Sequence, residues 1–251
     1  MSNAAPAGRR PVAGLAALLL AVGCAAPRPG APVATDPPTA PSASDELLHT
    51  TYTIGGETPT ALLVALHYSS STPAFWDELV EDWGAPVRVL FPQGPFPRRG
   101  GFTWFADGHE QQDAGANLVE VERMAARVAH LIEAVCKAHP EIQRVAVTGF
   151  SYGGDLAWLL AVRYPDLVDA SVPMGTRLLG DALRPLPATL RVRVLQGETD
   201  AVIDARATAA RVAELQARGV PVELTTYPGL GHDLSPALIA DWRAYLRAAL
   251  E

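Results

Sequence analysis

Gly149-Phe150-Ser151-Tyr152-Gly153 sets a hydroxyl between small residues, where an apolar β-rich run gives way to an amphipathic one. A serine hydroxyl is a poor nucleophile until a base takes its proton. A strained strand-to-helix turn exposes such a hydroxyl at a strand's end, and flanking glycines let strand and helix pack closely there. Ser151 is therefore the candidate nucleophile of an acyl transfer. Its base should be a histidine, and Gly231-His232-Asp233 lies between the last strand-type run and the final helix. His49 precedes the first strand, His130 and His139 fall in a helix, and His109 sits in a loop before the nucleophile. His232 is the candidate base. An acid must then hold its Nδ1 proton and stabilise the imidazolium. Asp200 follows a strand and the turn at Gly197, with Glu198 and Asp204 as rivals. Glu198 reads as solvent-facing, Asp204 as a helix N-cap, and Asp233 as a loop or cap residue. The developing oxyanion needs two donors. The Tyr152 N–H, next after the nucleophile, is one.

These residues need elements that bring them together. Strand-type runs cover 51–54, 61–66, 87–91, 144–150, 170–173, 191–196 and 222–227. Several are continuous apolar runs, as strands covered on both faces are. Helix-type segments cover 73–83, 116–138, 153–164, 204–218 and 235–249, the last opened by Ser235 as cap and Pro236 at the first helical position. Strands alternating with helices predict an α/β protein with a mostly parallel sheet of about seven or eight strands flanked by helices. Residues 92–115, rich in Gly, Pro and aromatics, read as one long irregular loop.

Three motifs together carry a resemblance: Gly149-Phe150-Ser151-Tyr152-Gly153-Gly154, Gln196-Gly197-Glu198-Thr199-Asp200-Ala201-Val202 and Pro228-Gly229-Leu230-Gly231-His232. From about Glu46 onward the chain resembles the phospholipase/carboxylesterase branch of the α/β-hydrolases, and with it the dienelactone-hydrolase and acyl-protein-thioesterase groups. The resemblance implies an α/β-hydrolase fold with no large lid domain and a serine esterase working through Ser151, Asp200 and His232. In that branch the acid motif usually reads His-Gly-x-x-Asp-x-Val-Val-Pro; here Gln196 replaces the histidine and Asp204 the proline, neither of which the chemistry requires. The second oxyanion donor usually comes from His-Gly-x-Gly, of which His67-Tyr68 keeps half. That implies the amide of Tyr68 or Ser69, Tyr68 foremost, with His67 as a substrate-binding residue; the alternative is a plain turn at 69–71. Arg98 to Phe105 resembles a segment whose Trp-Phe pair approaches the acyl pocket, which implies Trp104 as a substrate contact. An exported polymer or feruloyl-type esterase is the rival activity and requires an open groove around Trp104 and Ser151. A non-catalytic binding lipoprotein is the rival of another class.

Of the 251 residues 49% are hydrophobic and 19% charged, as in an ordinary globular protein of one sizeable core. A net charge of -7 argues against nucleic-acid binding, which needs a basic face. No His-x-x-x-His spacing, phosphate loop or G-x-G-x-x-G occurs, so no metal or cofactor is expected and the partner is a small ester. Arg9-Arg10 precede an apolar run at 12–22, too short to span a bilayer but of export-signal form. Ala21-Val22-Gly23-Cys24 resembles a bacterial lipobox, with Ala21 where Leu is usual, which makes Cys24 the candidate lipidation site. Ordinary cleavage near Ala25-Ala26 is the alternative. Residues 25–45, rich in Pro and Ala, read as an extended tether to a domain at 46–251. The expectation is an exported periplasmic or membrane-anchored protein, touching a membrane only through that lipid. Cys136 reads as a small apolar helix residue.

Overall fold

The structure, a computed structural model, describes residues 46–56, 58–181 and 185–251. The export segment, Cys24 and the tether lie outside the described residues. Seven strands form one sheet: β1 (His49–Ile54), β2 (Ala61–Leu66), β3 (Val87–Pro92), β6 (Arg144–Phe150), β7 (Ala170–Met174), β8 (Arg191–Gly197) and β9 (Val222–Tyr227). Their spatial order is β1-β3-β2-β6-β7-β8-β9. Only β1 runs antiparallel, against β3; the other pairings are parallel. The order reverses at β2, since the chain leaves it toward β3 on one side and returns to β6 on the other. Connections diverging from neighbouring strand ends open a crevice at their carboxyl edge, the usual ligand position in such sheets.

The apolar runs exist because both faces are covered. All six residues of β2 are buried, with Leu62, Val64 and Leu66 facing one core and Ala61, Leu63 and Ala65 the other. The first core packs under α2 (Ala114–Ala138), α3 (Tyr152–Arg163) and α4 (Ala205–Ala217). The second lies under α5 (Pro236–Leu250) and the short α1 (Asp77–Val80). Trp242 anchors α5 there. It stacks on Trp76 at 5.7 Å, and its indole donates to Thr148 Oγ1 of β6 at 2.9 Å. The helix after His232 is thereby tied to the strand that ends at Ser151. Asp113, Asp204 and Ser235 cap α2, α4 and α5 through their side chains. Among the described residues no helix is long and apolar enough to cross a membrane.

Two expectations needed correction. Residues 73–83 form not one helix but a 3-10 turn, Pro73–Trp76, running into four-residue α1. Thr72 makes no side-chain cap bond, Glu81 and Asp82 oppose the helix dipole at the carboxyl end, and Gly84 turns with φ +79°. The supposed irregular loop contains a hairpin, β4 (Phe96–Arg98) and β5 (Gly101–Thr103). Arg99 and Gly100 both have positive φ, the geometry of a tight hairpin turn.

Candidate active site

Ser151 sits at φ 57°, ψ −121°, between β6 and α3. Such a backbone costs about 1–3 kcal/mol and persists only where packing enforces it. Here the packing is backbone on backbone. A Cβ on Gly149 would stand 2.1 Å from the Gly153 carbonyl oxygen, and one on Gly153 would stand 2.1 Å from that of Leu66. The turn is pressed against the end of β2, so only glycine fits on either side. The Ser151 amide also donates to the Met174 carbonyl of β7 at 2.9 Å.

His232 and Asp200 come from adjacent loops after β9 and β8. Glu198 N–H donates to Tyr227 O at 3.0 Å and Thr199 N–H to Leu230 O at 2.9 Å, stitching the loops together. His232 Nδ1 lies 2.7 Å from Asp200 Oδ2. The imidazole packs on Phe150 at 4.7 Å. Beneath it Gly175, at φ +52°, leaves no room for a Cβ, which would lie 3.1 Å from His232 Cε1 and 2.9 Å from Phe150. Asp200 is buried, and Oδ1 accepts the Val202 and Ile203 amides at 2.8 Å each. Burial pushes its carboxyl up, but the Ile203 amide, His232 and the Val202 amide outweigh it and hold the group below its ordinary value. The rivals are occupied elsewhere: Glu198 accepts from Thr226, and Asp204 caps α4.

Ser151 and His232 line one cleft of about 650 Å³, with Tyr68 and Ser69 on the wall formed by the loop after β2. Within that loop the Ser70 amide donates to Phe102 O and the Ser71 amide to Tyr68 O. Neither bond uses the amide of Tyr68 or of Ser69, the two loop residues on the cleft wall. Tyr152 opens α3, and its ring turns away onto Phe105 at 5.1 Å.

His67 and Trp104, expected as substrate contacts, do not line the cleft: both are 0% exposed. His67 Nδ1 bonds the Tyr68 carbonyl at 2.8 Å, and Nε2 accepts the Gly94 amide at 2.9 Å. Trp104 stacks on that imidazole at 4.8 Å and donates to the His67 carbonyl at 2.7 Å. The pair braces the loop from behind, and no open groove surrounds Trp104. Sequence reasoning missed three features. The apolar cleft wall of Phe75, Leu79, Val202, Leu234 and Ile239 comes from three segments with no common motif. Gln196 is buried and donates to Asp200 Oδ2 at 3.1 Å. Asp155, 1% exposed, binds Thr176 Oγ1 at 2.9 Å and the Arg177 amide at 2.8 Å, fixing the loop that carries Gly175. A lone carboxylate in the otherwise apolar start of α3 was the signal for that last one.

Residues 98–236 match the model of the dienelactone hydrolase family, a span that includes Ser151, Asp200 and His232. A Methylorubrum extorquens protein named carboxymethylenebutenolidase is 34% identical over 119 residues, 42% of this chain but only 38% of that relative. Among solved structures, Atu2452 from Agrobacterium tumefaciens, of unknown function, superposes with a TM-score of 0.67 at 26% identity, covering 83% of this chain and 100% of the other. Zea mays acyl-protein thioesterase 2 gives 0.62 at 23% identity, covering 80% and 99%, a likeness of fold. With an α/β-hydrolase sheet and a family match that takes in its last four strands and the glycine-pressed serine turn, the chain belongs to the dienelactone hydrolase family.

Proposed function

We propose that the chain is a serine hydrolase of uncharged carboxylic esters with an apolar acyl group. The observation that carries this reading is Ser151, on its strained turn, sharing one cleft with His232, whose Nδ1 is held by Asp200 at 2.7 Å. His232 Nε2 takes the hydroxyl proton as Ser151 Oγ adds to the ester carbonyl. The amide of Tyr152 and that of Tyr68 or Ser69 hold the oxyanion. Collapse expels the alcohol, which leaves with the proton from His232, and water activated by the same imidazole releases the acid.

The substrate class follows from the cleft. Phe75, Leu79, Phe150, Val202, Leu234 and Ile239 line it, and among the described residues its ionisable groups are His232, Asp233 and the Tyr68 phenol. A carboxylate drawn against that wall loses hydration with no cation to replace it, at a cost of several kcal/mol, or roughly 100-fold and more in rate. Repulsion by exposed Asp233 adds about 1 kcal/mol or less in water. Desolvation is the larger effect. Fluorophosphonate labelling that disappears in Ser151→Ala tests the nucleophile. The p-nitrophenyl esters of hexanoic acid and of singly ionised adipic acid test the class, having equal chain length and differing in one carboxylate. The hexanoate should turn over at least 100-fold faster in kcat/KM; equal rates would reject the assignment.

For the N-terminus we propose export with lipidation of Cys24, on the strength of the lipobox-like Ala21-Val22-Gly23-Cys24. An alkyne-palmitate label should enter the wild type and not Cys24→Ala. Equal labelling of both would reject it.

A further inference from the structure

Gln196 is the penultimate residue of β8, with its side chain entirely buried. Its Nε2 reaches three acceptors: Asp200 Oδ2 at 3.1 Å, the Ile203 carbonyl at 3.1 Å and the Gly197 carbonyl at 3.2 Å. Because all three neighbours are acceptors, the amide has one orientation, with its NH2 toward the carboxylate. Oε1 is buried with no protein donor. An apolar side chain of similar size would avoid that cost, so the position is poorly explained as core filling. The amide does two things at once. It clips both ends of the loop 197–203, and it places a second donor on the carboxylate oxygen that receives the His232 Nδ1 proton.

We propose that Gln196 is a positioning residue that shares Asp200 Oδ2 with His232 and thereby sets how strongly the acid pulls on the imidazole. A carboxylate oxygen divided between two donors is a weaker acceptor for each. Imidazolium is then less stabilised than it would be beside an unshared carboxylate. The inference rests on the Ser151–His232–Asp200 reading above. The other groups around the imidazole are Asp233 on its own loop, the Tyr68 phenol across the cleft, and Arg177, paired with Asp155 two residues beyond Gly175. None of these touches Asp200 Oδ2.

The test is the acid limb of kcat/KM against pH for a neutral ester. Gln196→Met keeps the volume and removes the donor, while Gln196→Asn keeps the amide and shortens its reach. Both should move the limb upward by about half a unit and lower the plateau by roughly 3- to 10-fold. A purely structural role would lower the melting temperature or the plateau and leave the limb in place; that result overturns the inference. A measurement on the wild type covers the case in which neither variant folds. The Gln196 side-chain amide protons should resist exchange and should shift in NMR with the midpoint of the acid limb. Protons that show no response at that midpoint would equally overturn it. Wild-type protein that fails to label with a fluorophosphonate would instead reject the underlying triad reading, so the two failures are distinguishable.

Discussion

His67 and His232 are built alike at two points out of three. Each packs on an aromatic ring, Trp104 at 4.8 Å and Phe150 at 4.7 Å. Each has Nδ1 on an oxygen, Tyr68 O at 2.8 Å and Asp200 Oδ2 at 2.7 Å. They differ at Nε2. In His67 that atom accepts the Gly94 amide in a fully buried setting, whereas His232 retains 18% of its side-chain surface and lines the cleft. An imidazole with both nitrogens engaged is a strut. One with a single nitrogen engaged and the other facing a cleft can move a proton. The loop partner decides orientation in both; access decides chemistry.

The largest expected effect separates the two directly. His232→Gln should lower kcat by about 10⁴-fold or more while the melting temperature stays within a few degrees, because glutamine retains most of the volume of this partly exposed loop side chain. A loss under tenfold would remove His232 from the base role. His67→Leu should show the opposite balance. It orphans the Gly94 amide and leaves the Tyr68 carbonyl with the Ser71 amide as donor, which should cost about 1–3 kcal/mol in denaturant unfolding. It should also loosen the loop of Tyr68 and Ser69, for a loss of roughly 10- to 100-fold in kcat. Undiminished stability would show that His67 is not a strut.

The contrast sharpens with pH. Burial lowers the His67 imidazole below its ordinary 6.5, against a smaller upward pull from its bond to Tyr68. Between the folded value and 6.5 the unfolded chain binds more protons, so stability is whole above 6.5 and declines as pH falls from there through the folded value. Asp200, held below its ordinary 3.8, contributes stability that is present above 3.8 and lost as pH falls through its own folded value. Urea titrations across pH should therefore show an upper decline that vanishes in His67→Leu and a lower one that remains. An upper decline unchanged by that substitution would assign it elsewhere. The smallest effect belongs to Trp104→Phe, which keeps the stacking ring and removes the donor to His67 O. It should cost about 1 kcal/mol in unfolding and no more than roughly threefold in kcat. A tenfold kcat loss would mean that the indole reaches substrate after all.

Much of this was legible in the chain because the signals are local. A strained turn needs its glycines within two residues, so Gly149-Phe150-Ser151-Tyr152-Gly153 announces itself. Strands buried on both faces read as unbroken apolar runs, and helix caps lie within three residues of the amides they bind. Asp200 and His232 were placed by the elements that precede them. The hairpin at 96–103 was not, because two three-residue strands carry no periodicity and their stability comes from docking Phe102 on Ser70 and Ser71.

The sequence by itself determined the strands of the sheet, the turn at Ser151 and the chain order of Ser151, Asp200 and His232, since each rests on patterns a few residues long. Only the tertiary structure decided that His67 is a strut and Trp104 a brace, that Gln196 shares the oxygen of Asp200, and that Phe75, Leu79 and Ile239 share one wall. Those properties depend on which atom of a side chain meets which partner. His67 meets Gly94 across 27 residues, and Trp242 meets Thr148 across 94. No residue type encodes whether its second nitrogen will find an amide or an open cleft. Packing between distant segments supplies the amide in one case and the cleft in the other.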